Sequence, residues 1–283
     1  MSSLETKKDF AVVIVVSHAN PNGDPLDGNR PRETYDGHGE ISDVCLKRKI
    51  RNRLMDMGES VFVQSADNND DGYKSLKERA DAAGILKEKD PEKLRTEACE
   101  KWIDVRAFGQ LFAFKKGSDK DSVSLGIRGP VTIQSAFSVD PIEINSMQIT
   151  KSVNSEPGEK KGSDTMGTKH SVDFGVYVAY GSMNPQLAEK TGFSEGDAES
   201  IKKALATLFE NDESSARPAG TMYVYKVYWW NHNSKAGQYS PAKVHNSLHV
   251  KVKDGVDIPR SIDDYEISLD TLEGLTPEII DGN

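Results

Sequence analysis

Ser17-His18-Ala19-Asn20-Pro21-Asn22-Gly23-Asp24-Pro25-Leu26-Asp27-Gly28-Asn29-Arg30-Pro31-Arg32 follows directly on an apolar run, Phe10 to Val16. That run is apolar at nearly every position, the pattern of a strand buried on both faces. The stretch after it holds too many Gly, Pro and Asn residues for helix or strand and predicts a structured loop at the strand's end. Its asparagine amides and backbone N–H groups, with Arg30 and Arg32 behind them, suit a grip on a phosphate backbone that leaves the bases unread. By composition alone it would pass for an ordinary surface loop.

The order of residues in the loop says more. Asn20-Pro21-Asn22-Gly23-Asp24-Pro25, followed by Gly28-Asn29-Arg30-Pro31-Arg32, resembles the N-terminal signature of the CRISPR-associated backbone subunits of the repeat-associated mysterious protein (RAMP) superfamily, most nearly the type I-C (Dvulg) Cascade backbone. Three further segments resemble the same family. They are Asp104-Val105-Arg106-Ala107-Phe108-Gly109, Gly126-Ile127-Arg128-Gly129-Pro130-Val131, and Asp164-Thr165-Met166-Gly167-Thr168-Lys169-His170 with Val172-Asp173-Phe174-Gly175-Val176-Tyr177 after it. The segments occur in family order and span most of the chain from Phe10 to Tyr180.

A chain of 283 residues has room for a sizeable core, as one elaborated domain or two. No apolar stretch is long enough to span a bilayer, and Met1 to Asp9 is too polar for a secretory signal. Cys45 and Cys99 lack CxxC spacing and a nearby His, so no zinc site is expected, and two free thiols fit a reducing cytoplasm. The formal net charge of −9 argues at first against a nucleic-acid binder. Its distribution answers the objection. The segment 254–283 carries nine acidic residues and one Arg, a balance of −8, and 67–100 carries ten acidic and seven basic residues, a balance of −3. The remainder of the chain is +2. Salt screens charges separated by more than roughly 10 Å, so a local basic surface weighs more for a polyanion than the total.

Along the chain, Leu46, Ile50, Leu54 and Met57 recur at helical spacing and predict a helix from Asp43 to Met57, capped by Ser42 or Asp43. Lys47, Arg48, Lys49, Arg51 and Arg53 fill its other faces; Lys47, Lys49, Arg51 and Arg53 are read as RNA-phosphate contacts, against the alternative of a solvated face. The polar, acidic stretch from Ser65 to Lys101, with helix formers at Ser75 to Ala83 and Pro91 to Trp102, reads as a helical insertion suited to duplex DNA or another subunit. Arg106 and Arg128 stand in Gly-broken segments where backbones approach closely, and are candidates for phosphate contact. Ile142 to Val153 and Thr165 to Val178 are strand-like around a polar tip bearing Lys160 and Lys161. A helix is expected from Glu195 to Glu210, begun by a capping box at Ser194 and Asp197, and an aromatic strand from Thr221 to Trp230 whose two filled faces favour core packing over base stacking. Lys243 to Lys253 alternates as a strand, which puts His245 and His249 on a basic face and rejects a metal site.

Periodicity alone gives an α+β protein; the resemblance implies a ferredoxin-like, RNA-recognition-motif-like palm with a helical finger insertion and a thumb β-hairpin. The expected arrangement is a single elaborated domain over 1–283. Its palm covers about 8–58, 103–140 and 171–253, its helical insertion about 60–102, its thumb hairpin about 141–170, and its acidic C-terminal segment 254–283. The resemblance further implies a non-catalytic subunit that polymerises head to tail along one CRISPR RNA, presents it to a target DNA strand, and binds other Cascade subunits, with no cofactor and no membrane. Asn20, Asn22, Arg30, Arg32, Lys47, Lys49, Arg51, Arg53, Arg106, Arg128, Lys151, Lys169 and His170 are the expected RNA contacts, and Met147, Ile149 or Met166 the expected base-flipping wedge, each equally suited to a core. The alternative is a RAMP-type ribonuclease cutting target RNA with Asp24 or Asp27. A small-molecule enzyme has least support, because neither a Gly-rich phosphate loop with Lys-Ser/Thr nor a nucleophile motif is present. If Lys160 and Lys161 meet phosphate, Lys160→Ala/Lys161→Ala is expected to weaken RNA binding in a salt-sensitive way; an unchanged salt slope in a filter-binding titration counts against them.

Overall fold

Twelve consecutive residues, Lys8–Ala19, form strand β1, and all but His18 and the half-buried Ser17 are buried. A strand with no wet face needs neighbours on both edges and cover on both sides. The computed structural model, which describes residues 3–88, 90–114, 123–153 and 166–282, supplies all four.

In chain order, β1 is followed by short strands β2 (Gly23–Asp24), β3 (Arg30–Pro31) and β4 (His38–Ile41) and by helix α1 (Asp43–Asp56). The polar insertion contributes α2 (Leu76–Ala82) and α3 (Pro91–Lys101), then come α4 (Ile103–Phe108), β5 (Gly109–Phe114), β6 (Val123–Arg128), β7 (Val131–Ile133) and β8 (Ala136–Pro141). Next are β9 (Ile144–Thr150), the long β10 (Met166–Met183), α5 (Pro185–Thr191) and α6 (Glu195–Ala206). The chain ends through β11 (Met222–Asn231), α7 (Pro241–His245), β12 (Leu248–Val252), β13 (Tyr265–Leu269) and β14 (Glu278–Asp281).

The result is a mixed α+β protein built on an eight-stranded antiparallel sheet of order β14-β11-β1-β10-β8-β4, with β7 and β9 also paired to β10. Phe10, Val12, Ile14 and Val16 face helices α1 and α6 through Leu46, Ile50, Leu54, Ile201 and Leu205. Ala11, Val13 and Val15 face the other way, onto Val244 of α7, Leu248 and Tyr265 of the β12–β13 ribbon, and Leu275. A separate apolar cluster of Phe62, Leu86, Leu94, Trp102 and Phe112 joins the insertion to the β5–β6 hairpin. Asp104 ties it to the main body. It is 0% exposed and accepts the N–H groups of Phe62 (2.7 Å) and Val63 (3.0 Å) and the Arg51 Nε of α1 (2.9 Å). Gly109 and Gly129 make the adjoining crossing possible, since a Cβ on either lies 2.2 Å from the carbonyl oxygen of Ile127 or Ala107.

Ser42 caps α1 by accepting the Cys45 N–H, and the Ser194–Asp197 capping box starts α6. The alternation from Lys243 to Lys253 is not one strand. Ser240 caps a short helix with Pro241 in its first turn, as the Ser-Pro pair favours, and His245 is buried at the helix end while His249 and Lys251 face outward on β12. The 195–210 helix ends at Ala206 and continues only as turns.

His245 belongs to a buried polar cluster beneath β1. Asp9, 0% exposed, lies 2.9 Å from Lys7 Nζ and 2.8 Å from His232 Nε2. The Gln238 N–H donates to His232 Nδ1 (2.9 Å), which leaves the proton on Nε2 to be donated to Asp9. Burial works to raise the Asp9 pKa, yet the hydrogen bonds from His232 and Lys7 hold its carboxyl below the ordinary value. His245 donates to the Gly181 carbonyl (3.1 Å) and stacks on Tyr180, and burial pushes its pKa below 6.5. A lowered folded pKa means that both groups stabilise the fold above their unfolded values and lose that contribution as pH falls. The melting temperature is therefore expected to drop as pH falls below about 6.5 and His245 is forced to charge, and again below about pH 4 through Asp9. His245→Gln, which keeps a donor without a titrating ring, is expected to flatten the first of these declines in calorimetry.

Candidate nucleic-acid interface

The loop after β1 is held by its own side chains. Gly28 and Asn29 take positive φ (55° and 63°), and a Cβ on Gly23 would lie 2.1 Å from Asn29 Oδ1, so the β2–β3 hairpin closes tightly. Asp24 accepts the Leu26 N–H at Oδ1 (3.0 Å) and the Asn29 N–H at its carbonyl (2.8 Å). Asn20, 3% exposed, donates to the Asn29 carbonyl (2.6 Å). Asn22 Oδ1 accepts both the N–H (2.9 Å) and the hydroxyl (2.8 Å) of Ser42, pinning the loop to the cap of α1. The two amides expected to meet RNA are thus engaged within the chain, and Asn20 is buried.

Arg30 leaves the loop toward the β9–β10 hairpin. Its Nη1 donates to Ser146 Oγ (3.3 Å), which lies 2.8 Å from His170 Nδ1, while Nη2 is 3.7 Å from Glu33. Arg32 sits 3.4 Å from Asp24. Directly opposed residues of an antiparallel pair share a face. The register sets Met147 against Lys169 and Ile149 against Gly167 on one face, and His170 against Ser146 and Met166 against Thr150 on the other. Met147 is 58%, Ile149 47% and Met166 58% exposed, so none of the three is core. Lys169 is exposed and makes no ion pair among the described residues. Lys151 is exposed just beyond β9; Lys160 and Lys161 lie outside the described residues.

The basic residues of α1 are not gathered at this place. Lys49, 4% exposed, pairs with Asp212; Arg51 with Asp104 (2.9 Å); Arg53 with Glu210 and, at 3.7 Å, Asp56; Lys47 with Asp43 one turn away (3.0 Å). Arg48 donates to the Val63 carbonyl (2.6 Å). Arg106 holds Asp197 through two nitrogens (3.0 and 2.6 Å). Arg128 is exposed on β6, with no ion pair among the described residues. The excess of cations on α1 thus serves docking onto 104 and 207–212, acids too distant in sequence to be matched by reading.

Three features of the site escape sequence reading. His18 adopts φ 53° and lies 3.1 Å from Asp173, where the loop leaves the sheet. Leu26 and Tyr35 stand wholly exposed on the loop (98% and 103%). Turn chemistry marked that loop, but nothing local marks which of its apolar groups face outward. Among the described residues no group of three His, Cys, Asp or Glu side chains is placed to hold a metal, and no helix is long and apolar enough to cross a membrane.

Asn22→Ala removes two hydrogen bonds at the α1 cap and is expected to cost about 1–2 kcal/mol in urea unfolding. Asp27→Ala, on the exposed turn, is expected to leave the midpoint within error.

The sequence profile of the family described as CRISPR-associated protein Cas7 matches residues 6–270. The CRISPR-associated protein Cas7 of Haloferax volcanii is 26% identical over 298 aligned positions, which cover 96% of this chain and 84% of its own. Among solved structures, a chain of a pre-nicking CRISPR RNA-guided surveillance complex is 15% identical with a TM-score of 0.48, covering 80% of this chain and 78% of that one. A chain of a second CRISPR RNA-guided surveillance complex is 16% identical with a TM-score of 0.44, covering 80% and 69%.

Proposed function

The chain belongs to the CRISPR-associated Cas7 family, and from that premise we propose that it is a non-catalytic backbone subunit of a type I-C Cascade surveillance complex. In this reading it binds guide RNA, polymerises head to tail along it, and presents it for pairing with a target DNA strand in the cytoplasm. The observation that carries the reading is the exposed hairpin face on which Met147 and Ile149 stand beside Lys169, with the Arg30–Ser146–His170 chain on the reverse. An apolar side chain on such a projection can wedge between bases, because unstacking costs only a few kcal/mol per step. A cation beside it meets the phosphate, and sequence is left to base pairing.

The strand order supports a ferredoxin-like palm. With β1, α1, β8, β10, α6 and β11 as a βαββαβ unit, the first strand lies between the third and fourth, the second lies beside the third, and both helices cover one face. The finger is then α2 and α3, and the thumb is the hairpin. The ribonuclease reading has less support. Asp24 closes its own turn and faces Arg32, while Asp27 stands exposed with no ion pair among the described residues.

Single-stranded RNA is expected to co-purify with the chain, and Met147→Ala/Ile149→Ala to weaken binding. Lys169→Ala is expected to reduce the logarithmic salt slope by about 0.7. With Mg²⁺ and a complementary RNA, no cleavage is expected; regular cuts lost in Asp24→Ala would overturn the non-catalytic assignment. A lone, RNA-free chain indifferent to transcripts at low ionic strength overturns the function.

A further inference from the structure

The acidic segment after Asp254 is not an appended tail. It pairs with β12 as β13 and returns to the main sheet as β14, and meets lysines in register. Asp281 lies opposite Lys226 and Glu266 opposite Lys251, at 2.5 and 3.1 Å between charged atoms. Glu278, opposite Trp229, reaches Lys202 of α6 (3.0 Å), which also pairs with Glu199 on its own helix (2.8 Å), and Asp270 reaches His249 (2.9 Å). These pairs lie along the β11–β14 edge and on the ribbon that covers the second face of the sheet.

Exposed ion pairs such as Glu266–Lys251 and Asp270–His249 add little to folding, so stability does not account for all four pairs in one segment. Their effect on a polyanion is larger. A lysine already held by a carboxylate neutralises no phosphate and so frees none of the nucleic acid's condensed counterions, and the carboxylate adds repulsion. On the hairpin Lys169 shows the opposite arrangement, exposed and without an acid partner among the described residues.

We propose that Glu266, Glu278 and Asp281 act as built-in counterions that occupy Lys251, Lys202 and Lys226 and so confine nucleic acid to the loop-and-hairpin side. This rests on the RNA-binding reading, which fixes what must be confined. It also assigns the negative segment a part in selectivity: a chain that must lie on one RNA in one orientation is served by having a single face that accepts phosphate.

The test is a full-length Glu266→Gln/Glu278→Gln/Asp281→Asn variant titrated with an oligouridylate of about 10 nucleotides. Fluorescence anisotropy is followed from about 50 to about 200 mM salt. The variant releases Lys251 and Lys226 outright while Lys202 keeps Glu199 at 2.8 Å, so the logarithmic salt slope is expected to steepen by about 1.4, with more than one oligonucleotide bound per chain at the lowest salt. Asp257→Asn/Asp263→Asn/Glu273→Gln changes the net charge equally at side chains with no ion pair among the described residues, and is expected to keep the wild-type slope. Equal slopes in all three proteins overturn the proposal, as does equal steepening in both variants. Glu266→Gln alone, at a side chain exposed on the outer face of the ribbon, is expected to show about half of the effect, and its absence there counts equally against the proposal. Failure of the RNA-binding reading appears separately, as a wild-type chain that does not bind at all.

Discussion

Burial of β1 on both faces is the constraint from which the rest of the architecture follows. A strand without access to water must pair every backbone group with protein. It does so with β10 on one edge and β11 on the other. Each face then needs an apolar lid. Helices α1 and α6 provide one, and the other comes from α7 and the β12–β13 ribbon. The C-terminal third is therefore part of the core, and the single buried carboxylate of β1, Asp9, is tolerated because Lys7 and His232 both bond to it.

Charge is handled by the same economy of position. On α1 every basic residue but Lys47 reaches beyond its own helix, to acids or carbonyls that hold the insertion and the 207–217 segment in place. A net charge of −9 thus coexists with a hairpin whose Lys169 faces outward. Summed charge describes solubility better than it describes where an anion can land.

What could be read from the residues was what short-range chemistry dictates: the apolar continuity of β1, the Ser42 cap, and the capping box at Ser194. What could not be read was pairing across distance. Arg51 finds its acid 53 positions away and Lys49 163 positions away, and no local pattern separates such a cation from one waiting for phosphate. Asn20 and Asn22 have the right chemistry for RNA, but the turn they sit in uses it first. The strand-like alternation near 243–253 misled because a period of two also fits a capped helical turn followed by a short strand, and the Ser240-Pro241 pair was the better signal. The hairpin faces required the register itself, since Met147, Ile149 and Met166 look alike in sequence and only pairing separates them.

One unbroken strand, β10, runs for 18 residues from the exposed hairpin into the middle of the sheet. At about 3.4 Å per residue it is a beam some 60 Å long, clamped at its inner half by β1 and β8 and paired at its outer end with β9 alone. A load on the outer end is carried into the core rather than absorbed by a hinge.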